Sequence, residues 1–342
     1  MKVLFIGGTG IISSACVALA VERGLEVTLL NRGKSDRRVP AGVRTIHVDI
    51  HDTSAVVAAL GRENFDAVAD FIAFVPEHVQ RDLEIFRGRT GQLLFISSAS
   101  AYQTPPLLLP ITESSPLCNP VWKYSRDKIA CEEVLVRAYR EEGFPITIVR
   151  PSHTYDERLI PLHGGYTNLA RMRAGKPIVV HGDGTSLWVL THHRDFARGF
   201  VGLIGNNRAI GEAVHITSDE CLTWNEIARL MGQAIGVQVH LVPVPSARIA
   251  DFDQDWGDSL LGDKTHSVIF DNTKLRRLVP DYVASIPFAR GAREIAAFYE
   301  THPEHQRVDS ALDALFDTLL AIYGPKIAHP PEGPSVSMES RH

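Results

Sequence analysis

The chain has 342 residues, 44% of them hydrophobic and 22% charged, with a formal net charge of -5. That is the composition of an ordinary globular chain with enough apolar residues for a sizeable core, and it excludes a fibrous or wholly disordered protein. Basic residues are scattered, the nearest thing to a cluster being Arg32, Lys34, Arg37 and Arg38, so nucleic acid and anionic membranes are not expected as partners.

Lys2 to Ile6 is a short apolar run, the pattern of a strand buried on both faces of a parallel sheet. It runs straight from Met1 with no signal-peptide pattern, and no apolar stretch reaches membrane-spanning length. Cys16, Cys118, Cys131 and Cys221 lack metal-type spacing, and Cys16 and Cys131 fall in predicted helices as small core residues. A reducing, cytoplasmic setting is expected.

Gly7-Gly8-Thr9-Gly10 follows the first strand, and a helix is predicted over 14–23 before a second strand at 26–30. Strand, glycine-rich turn, helix and strand form the unit that binds a dinucleotide, with backbone N–H groups free to approach its pyrophosphate at the helix N-terminus. Ser13 takes the third small position of the turn. The second strand ends at Asn31-Arg32, where an acidic residue would pair with the ribose of NAD. Asn31 still offers a hydrogen bond, and Arg32 with Lys34 leans toward the 2′-phosphate of NADP.

Further strands are predicted over 45–48, 67–71, 92–96 and 146–151, with helices over 54–61 and 77–87 between them. Asp49 is placed to meet the adenine amino group, and Ala73 to lie beside the cofactor. Such alternation means an α/β, Rossmann-type doubly wound parallel sheet with ligands at the carboxyl ends of its strands. From residue 166 the alternation fades. Helices over 167–174 and 195–203 and a strand-like run over 176–181 suggest a smaller C-terminal substrate-binding lobe over 166–323, completing a cofactor domain over 1–165 to which later segments return. Thr223 and Glu226 make a capping box for a helix to Ala234. Residues 255–264 read as an unusually polar-aromatic loop, a helix is predicted over 288–300, and the Pro- and Ser-rich stretch 324–342 reads as a disordered tail.

Tyr124 and Lys128 head a run to Glu142 with no Gly or Pro. Residues four apart share one helix face, so the phenol and the ammonium point the same way. A cation beside a phenol favours the phenolate, the requirement for a tyrosine that exchanges a proton near neutral pH. His47 and His51 flank a strand end, with Asp49 needed elsewhere, so no metal site is expected.

These residues resemble the extended short-chain dehydrogenase/reductase family, in its NAD-dependent epimerase/dehydratase branch, over roughly residues 1 to 300. The resemblance rests on Gly7 to Gly10, Asp49, Ser98 four residues before Tyr102, Tyr124 with Lys128, Arg150-Pro151, and Thr191 to Asp195 ahead of a helix. It implies that Tyr124 is the acid/base, that Lys128 hydrogen-bonds the nicotinamide ribose and holds the tyrosine pKa down, and that Ser98 orients the reacting oxygen. It also implies that Gly7, Thr9, Gly10, Ile11, Ile12, Asn31, Arg32, Asp49, Ile50, Ser97 and Pro151 join Tyr124 and Lys128 in holding NAD or NADP. A homodimer is implied as well. The family's sugar-nucleotide dehydratases place Asp-Glu after the serine, where this chain has Ala99 and Ser100. The Asn-Arg-Gly ending of the second strand also resembles a branch that includes chloroplast RNA-associated proteins.

On the substrate side, Ser100, His153, Tyr155, His163, Trp188, His192, His193 and Trp256 are expected near the cleft. Arg150, Arg171 and Arg194 are candidate phosphate partners. The functional expectation is a sugar-modifying enzyme of the epimerase/dehydratase type, acting on a nucleotide sugar or nucleoside through a transient ketone. Its rivals are an NADPH-dependent ketone reductase, and a non-catalytic RNA-associated or cofactor-sensing protein.

Overall fold

The computed structural model describes residues 1–324, so the expected tail lies, past Gly324, outside the described residues. The first half of the chain runs β1 (Lys2–Ile6), α1 (Ile11–Glu22), β2 (Glu26–Asn31), β3 (Arg44–His47), α2 (Thr53–Leu60), β4 (Ala67–Asp70), α3 (Pro76–Phe86), β5 (Leu93–Ile96), α4 (Lys123–Glu142) and β6 (Ile146–Pro151). Next come β7 (His153–Tyr155), α5 (Tyr166–Arg173), β8 (Ile178–His181), β9 (Leu187–Trp188), β10 (Leu190–His192), α6 (His193–Leu203) and β11 (Ala213–Ile216). The remainder is β12 (Leu222–Thr223), α7 (Trp224–Ala234), β13 (Leu241–Val244), α8 (Ser246–Ala250), α9 (Gln254–Ser259), α10 (Thr273–Leu278), α11 (Phe288–Thr301) and α12 (Ser310–Tyr323).

Seven strands form one sheet in the order β11-β6-β5-β4-β1-β2-β3, every pair parallel. Side chains alternate across a strand, so β1 splits its apolar residues between two layers. Val3 and Phe5 enter the core shared with α1 and α6, while Leu4 and Ile6 enter the core beneath α2, α3 and α4. The order steps outward from β1 in both directions, and the chain reverses there. Ligands bind in the crevice at that switch point.

The lobe has its own core. Tyr155, Leu169, Ile178, Trp188, Trp224, Ile227 and Phe288 pack together, and a smaller cluster joins Val244, Trp256, Leu260 and Phe316. The expected capping box on α7 is present, Thr223 and Glu226 each bonding the other's backbone N–H. The stretch read as a loop is helical instead: α9 runs directly into a single π-helical turn, Leu260–Lys264. Aspartates and glycines dilute its helical signal, whereas Trp256 and Leu260 are buried and supply the anchoring. Helix α12 and strand β11 went unread in the sequence: Leu312, Phe316, Leu319 and Tyr323 do give α12 a helical spacing, whereas the four residues of β11 are too few to carry a pattern.

Candidate active site

Position 7 needs a glycine on two counts. Its φ is +82°, and a Cβ there would lie 2.5 Å from Ile72 Cγ2. Ser13 does more than fill space: its Oγ accepts from Gly10 N–H at 2.7 Å and donates to Gly7 O at 2.8 Å, closing the turn at the start of α1. Ile11 and Ile12 form that first helical turn. Gly7, Thr9, Gly10, Asn31, Arg32, Asp49 and Ile50 then line one cavity of about 460 Å³. A turn with no room for a side chain, beneath a cavity of dinucleotide scale, fits the pyrophosphate of a nicotinamide cofactor.

The polar rim of that cavity has a definite sense. Asn31 Oδ1 already accepts from Gly33 N–H at 2.8 Å and lies 3.2 Å from His47 Nδ1. The Asn31 amide therefore has its N–H₂ donor left to offer. Arg32 lies 4.0 Å from Asp49, both well exposed, and Lys34 lines the same cavity.

A second cavity, of about 320 Å³, is lined by Ser98, Ser100, Trp122, Tyr124, Pro151, His153, Trp188, Asp263 and Lys264 among others. Ser98 and Tyr124 thus share one wall. Helix α4 begins at Lys123, so Tyr124 sits in its first turn and Lys128 one turn on. Burial pushes the Tyr124 phenol above its ordinary pKa, partly offset by the Ser98 hydroxyl. Ser98 Oγ lies 2.9 Å from Ser100 Oγ and accepts from Ser100 N–H, so it caps the short turn 99–101 while facing the cleft. Ser125 donates to Ser100 at 2.8 Å and completes a hydroxyl chain along the wall.

Lys128 is buried, and its Nζ donates to Ala73 O at 2.6 Å and Ile96 O at 2.7 Å. It sits 4.6 Å over the Phe74 ring and 5.8 Å from the Tyr124 ring centroid. Burial lowers its pKa to about 8. Its neighbours differ from those the sequence suggested. The ammonium clamps the ends of β4 and β5 together, and the Tyr124 pKa is raised rather than held down. Asp70 escaped notice in the sequence, yet it shapes this corner by accepting from Ile72 and Ala73 N–H at 2.6 and 3.0 Å.

Several other expected residues sit elsewhere. Ser97 donates to Glu132 at 2.5 Å inside a buried network where Arg150 binds the same carboxylate through Nε and Nη2, its buried Nη1 alone lacking a partner among the described residues. Arg171 pairs with Asp313 and Asp317, and Arg194 with Glu294. Tyr155 is fully buried in the lobe core against Phe288 and His192. His192 caps α6 and meets Glu294. His193 turns to the far side of α1, beside Glu157. In each case a nearby carboxylate or apolar core claimed the side chain. His163 and Trp256 stack at 4.1 Å in a third cavity of about 220 Å³, which shares His153 and Lys264 with the Tyr124 cavity.

One residue near Tyr124, Asn119, gave no sequence pattern of its own. Asn119 donates to Ser100 O and Gly262 O, and its Oδ1 accepts from Trp122 N–H at 2.9 Å. It ties the serine turn, the start of α4 and the π-helical turn together. That turn carries Asp263 and Lys264 into the cleft. A Cβ on Gly262 would stand 2.6 Å from Trp122 Cβ, so the turn rests directly on the segment leading into Tyr124.

Among the described residues, no helix is long and apolar enough to cross a membrane. The sequence profile of the NAD dependent epimerase/dehydratase family matches residues 3–217. A 2'-dehydrokanamycin reductase of Streptomyces kanamyceticus is 29% identical over 287 residues, 82% of this chain and 80% of that protein. A UDP-glucose 4-epimerase of Lactobacillus helveticus is 35% identical over 169 residues, 44% of this chain and 51% of that protein. Among solved structures, a dTDP-glucose 4,6-dehydratase from Bacillus anthracis in complex with NAD superposes with a TM-score of 0.72 at 18% identity, over 89% of this chain and 98% of that one. A glycine turn shaped for a pyrophosphate, a serine and a tyrosine on one cleft wall, and a profile spanning most of the chain converge: this protein belongs to the NAD dependent epimerase/dehydratase family, and it is an enzyme of that extended short-chain dehydrogenase/reductase type.

Proposed function

We propose that the protein modifies a sugar-containing small molecule without net redox change, by oxidising one hydroxyl to a ketone, altering the activated ring, and reducing the ketone again. Nucleotide sugars and nucleosides are the first candidates. The observation that carries this reading is that Ser98 and Tyr124 line one cavity. A nicotinamide cofactor bound over Gly7, Thr9 and Gly10 supplies reversible hydride transfer. Tyr124, once its own proton has passed to solvent, takes the proton of the substrate hydroxyl and later returns it to the carbonyl oxygen. Ser98 donates to that oxygen and holds it still while charge develops. Lys128, fixed by two carbonyls, keeps a third N–H and a positive charge beneath the phenol.

Incubation with UDP-glucose and other sugar nucleotides, with no cofactor added, tests the reading. Catalytic turnover supports it. Turnover that demands stoichiometric NADPH replaces it with a ketone reductase. That second reading has specific support: Ala99 and Ser100 stand where the acid–base pair of the dehydratases would be, and one relative is named as a reductase. The cofactor is read as NADP, because the remaining Asn31 donor, Arg32 and Lys34 suit a phosphate acceptor. Arg32→Ala should weaken NADPH binding at least about tenfold and leave NADH unchanged, since one charge-assisted contact is worth roughly 1.5–3 kcal/mol.

A further inference from the structure

The Tyr124 cavity and the cavity behind it meet at His153 and Lys264. The chain has four tryptophans, and all four line these two spaces. Trp122 and Trp188 line the first, Trp224 and Trp256 the second. An indole face offers a broad apolar surface to the C–H face of a sugar ring. Trp224 is 4% exposed, yet its indole N–H has no partner among the described residues.

The charges are equally distinctive. Burial drives His153 to about 3 and His163 and His181 to about 4, so these imidazoles are neutral at physiological pH. Lys264 and Asp263 are the charged side chains among the described residues lining the two cavities. They lie 3.9 Å apart. The Asp263 carboxylate accepts no hydrogen bond from the described residues, and Lys264 Nζ, 4.8 Å over the Trp122 ring, donates among them to Ser259 O alone at 3.4 Å. Both keep bonding capacity for a ligand. One cation balanced by one anion suits a hydroxyl and an ammonium side by side. A diphosphate needs several uncommitted cations, and Arg150, Arg171 and Arg194 are all paired with carboxylates.

We propose that the two cavities form one site for a phosphate-free amino glycoside of at least two rings, with the reacting ring at Tyr124, the next ring among Trp224, Trp256 and His163, and an amino group on Asp263. This keeps the sugar ring of the reading above but sets aside the nucleotide sugars and nucleosides named first there, and it rests on that reading only in placing a sugar ring at Tyr124.

Calorimetry and tryptophan fluorescence on the NADP⁺-loaded protein, with neamine, glucosamine, maltose and UDP-glucose as probes, provide the test. Neamine, with two rings and several amino groups, should quench the tryptophans and bind at least tenfold more tightly than each of the other three. Asp263→Asn should cost neamine at least tenfold and leave maltose unchanged. UDP-glucose binding as tightly as neamine, neamine no tighter than glucosamine, or no binding by any probe overturns the proposal. Tyr124→Phe separates the two ideas: neamine binding should survive in this variant, so a failure of the redox-neutral chemistry leaves the binding result standing.

Discussion

Tyr124 rests as a phenol, because burial disfavours its anion more than the Ser98 hydroxyl supports it. A phenol is the correct form for returning a proton to a carbonyl oxygen, so the reducing step should be insensitive to pH through neutrality. Lys128, lowered to about 8 by the same burial, loses its charge just above that range. The rate of ketone reduction should therefore break downward near pH 8, and a profile flat to pH 9 would separate Lys128 from the chemistry. Tyr124→Phe should lower activity at least about a hundredfold, the usual scale for losing general acid–base catalysis, with cofactor affinity retained. The Tyr–Lys spacing was legible in the sequence because one helical turn sets it. The partners of Lys128 were not, because Ala73 O and Ile96 O come from the ends of two other strands. The same limit applies to Arg150, whose fate depended on Glu132 lying opposite it across the α4–β6 contact.

The π-helical turn at Leu260–Lys264 acts as one piece with the start of α4. An inserted residue widens a helix and re-aims its side chains, a feature common at functional sites. Asn119 holds that geometry through Gly262 O, and replacing it leaves a buried carbonyl unpaired. Asn119→Ala should cost about 1–3 kcal/mol in a denaturant titration and raise KM more than it lowers kcat. Gly262→Ala should do more harm than its size suggests, because the added methyl meets Trp122 rather than solvent. An unchanged KM in both variants would mean that the turn has no part in binding. The sequence flagged 255–264 by composition, but a stretch of alternating aspartate and glycine does not declare a helix. Tertiary packing of Trp256 and Leu260 decided it.

At the scale of the whole molecule, buried polar groups set the conditions under which the fold persists. His153, His181 and His192 all have folded-state pKa values below the ordinary histidine value, chiefly through burial, falling to about 3, 4 and 4. The unfolded chain binds protons at these positions below about pH 6.5, whereas the folded chain resists them. Stability should thus be full above pH 6.5 and fall steadily between pH 6.5 and 4. A melting temperature constant over that window would contradict this account. Glu132, shared by Arg150 and Ser97, is the most exacting site: Glu132→Ala strands a buried guanidinium and should cost roughly 3–5 kcal/mol. The doubly wound sheet was legible because the short strands β1 to β6, most of them apolar, alternate with helical segments behind a glycine-rich first turn. β11 was hidden because it spans only Ala213–Ile216 and includes His215, and its place is fixed by pairing with β6 rather than by any pattern of its own.

That late strand has a practical consequence. The chain leaves the sheet after β6, builds β7 to β10 and α5, returns to lay α6 against α1 and β11 on the edge, and then departs again. The C-terminal lobe is therefore interwoven with the parallel-sheet body and cannot be lifted out as a contiguous cassette. A chimera that exchanged residues 166–323 as a block would tear out a border of the sheet along with the pocket. Swapping specificity between relatives would instead require transplanting separate patches, with residues 204–217, which carry β11, left in place.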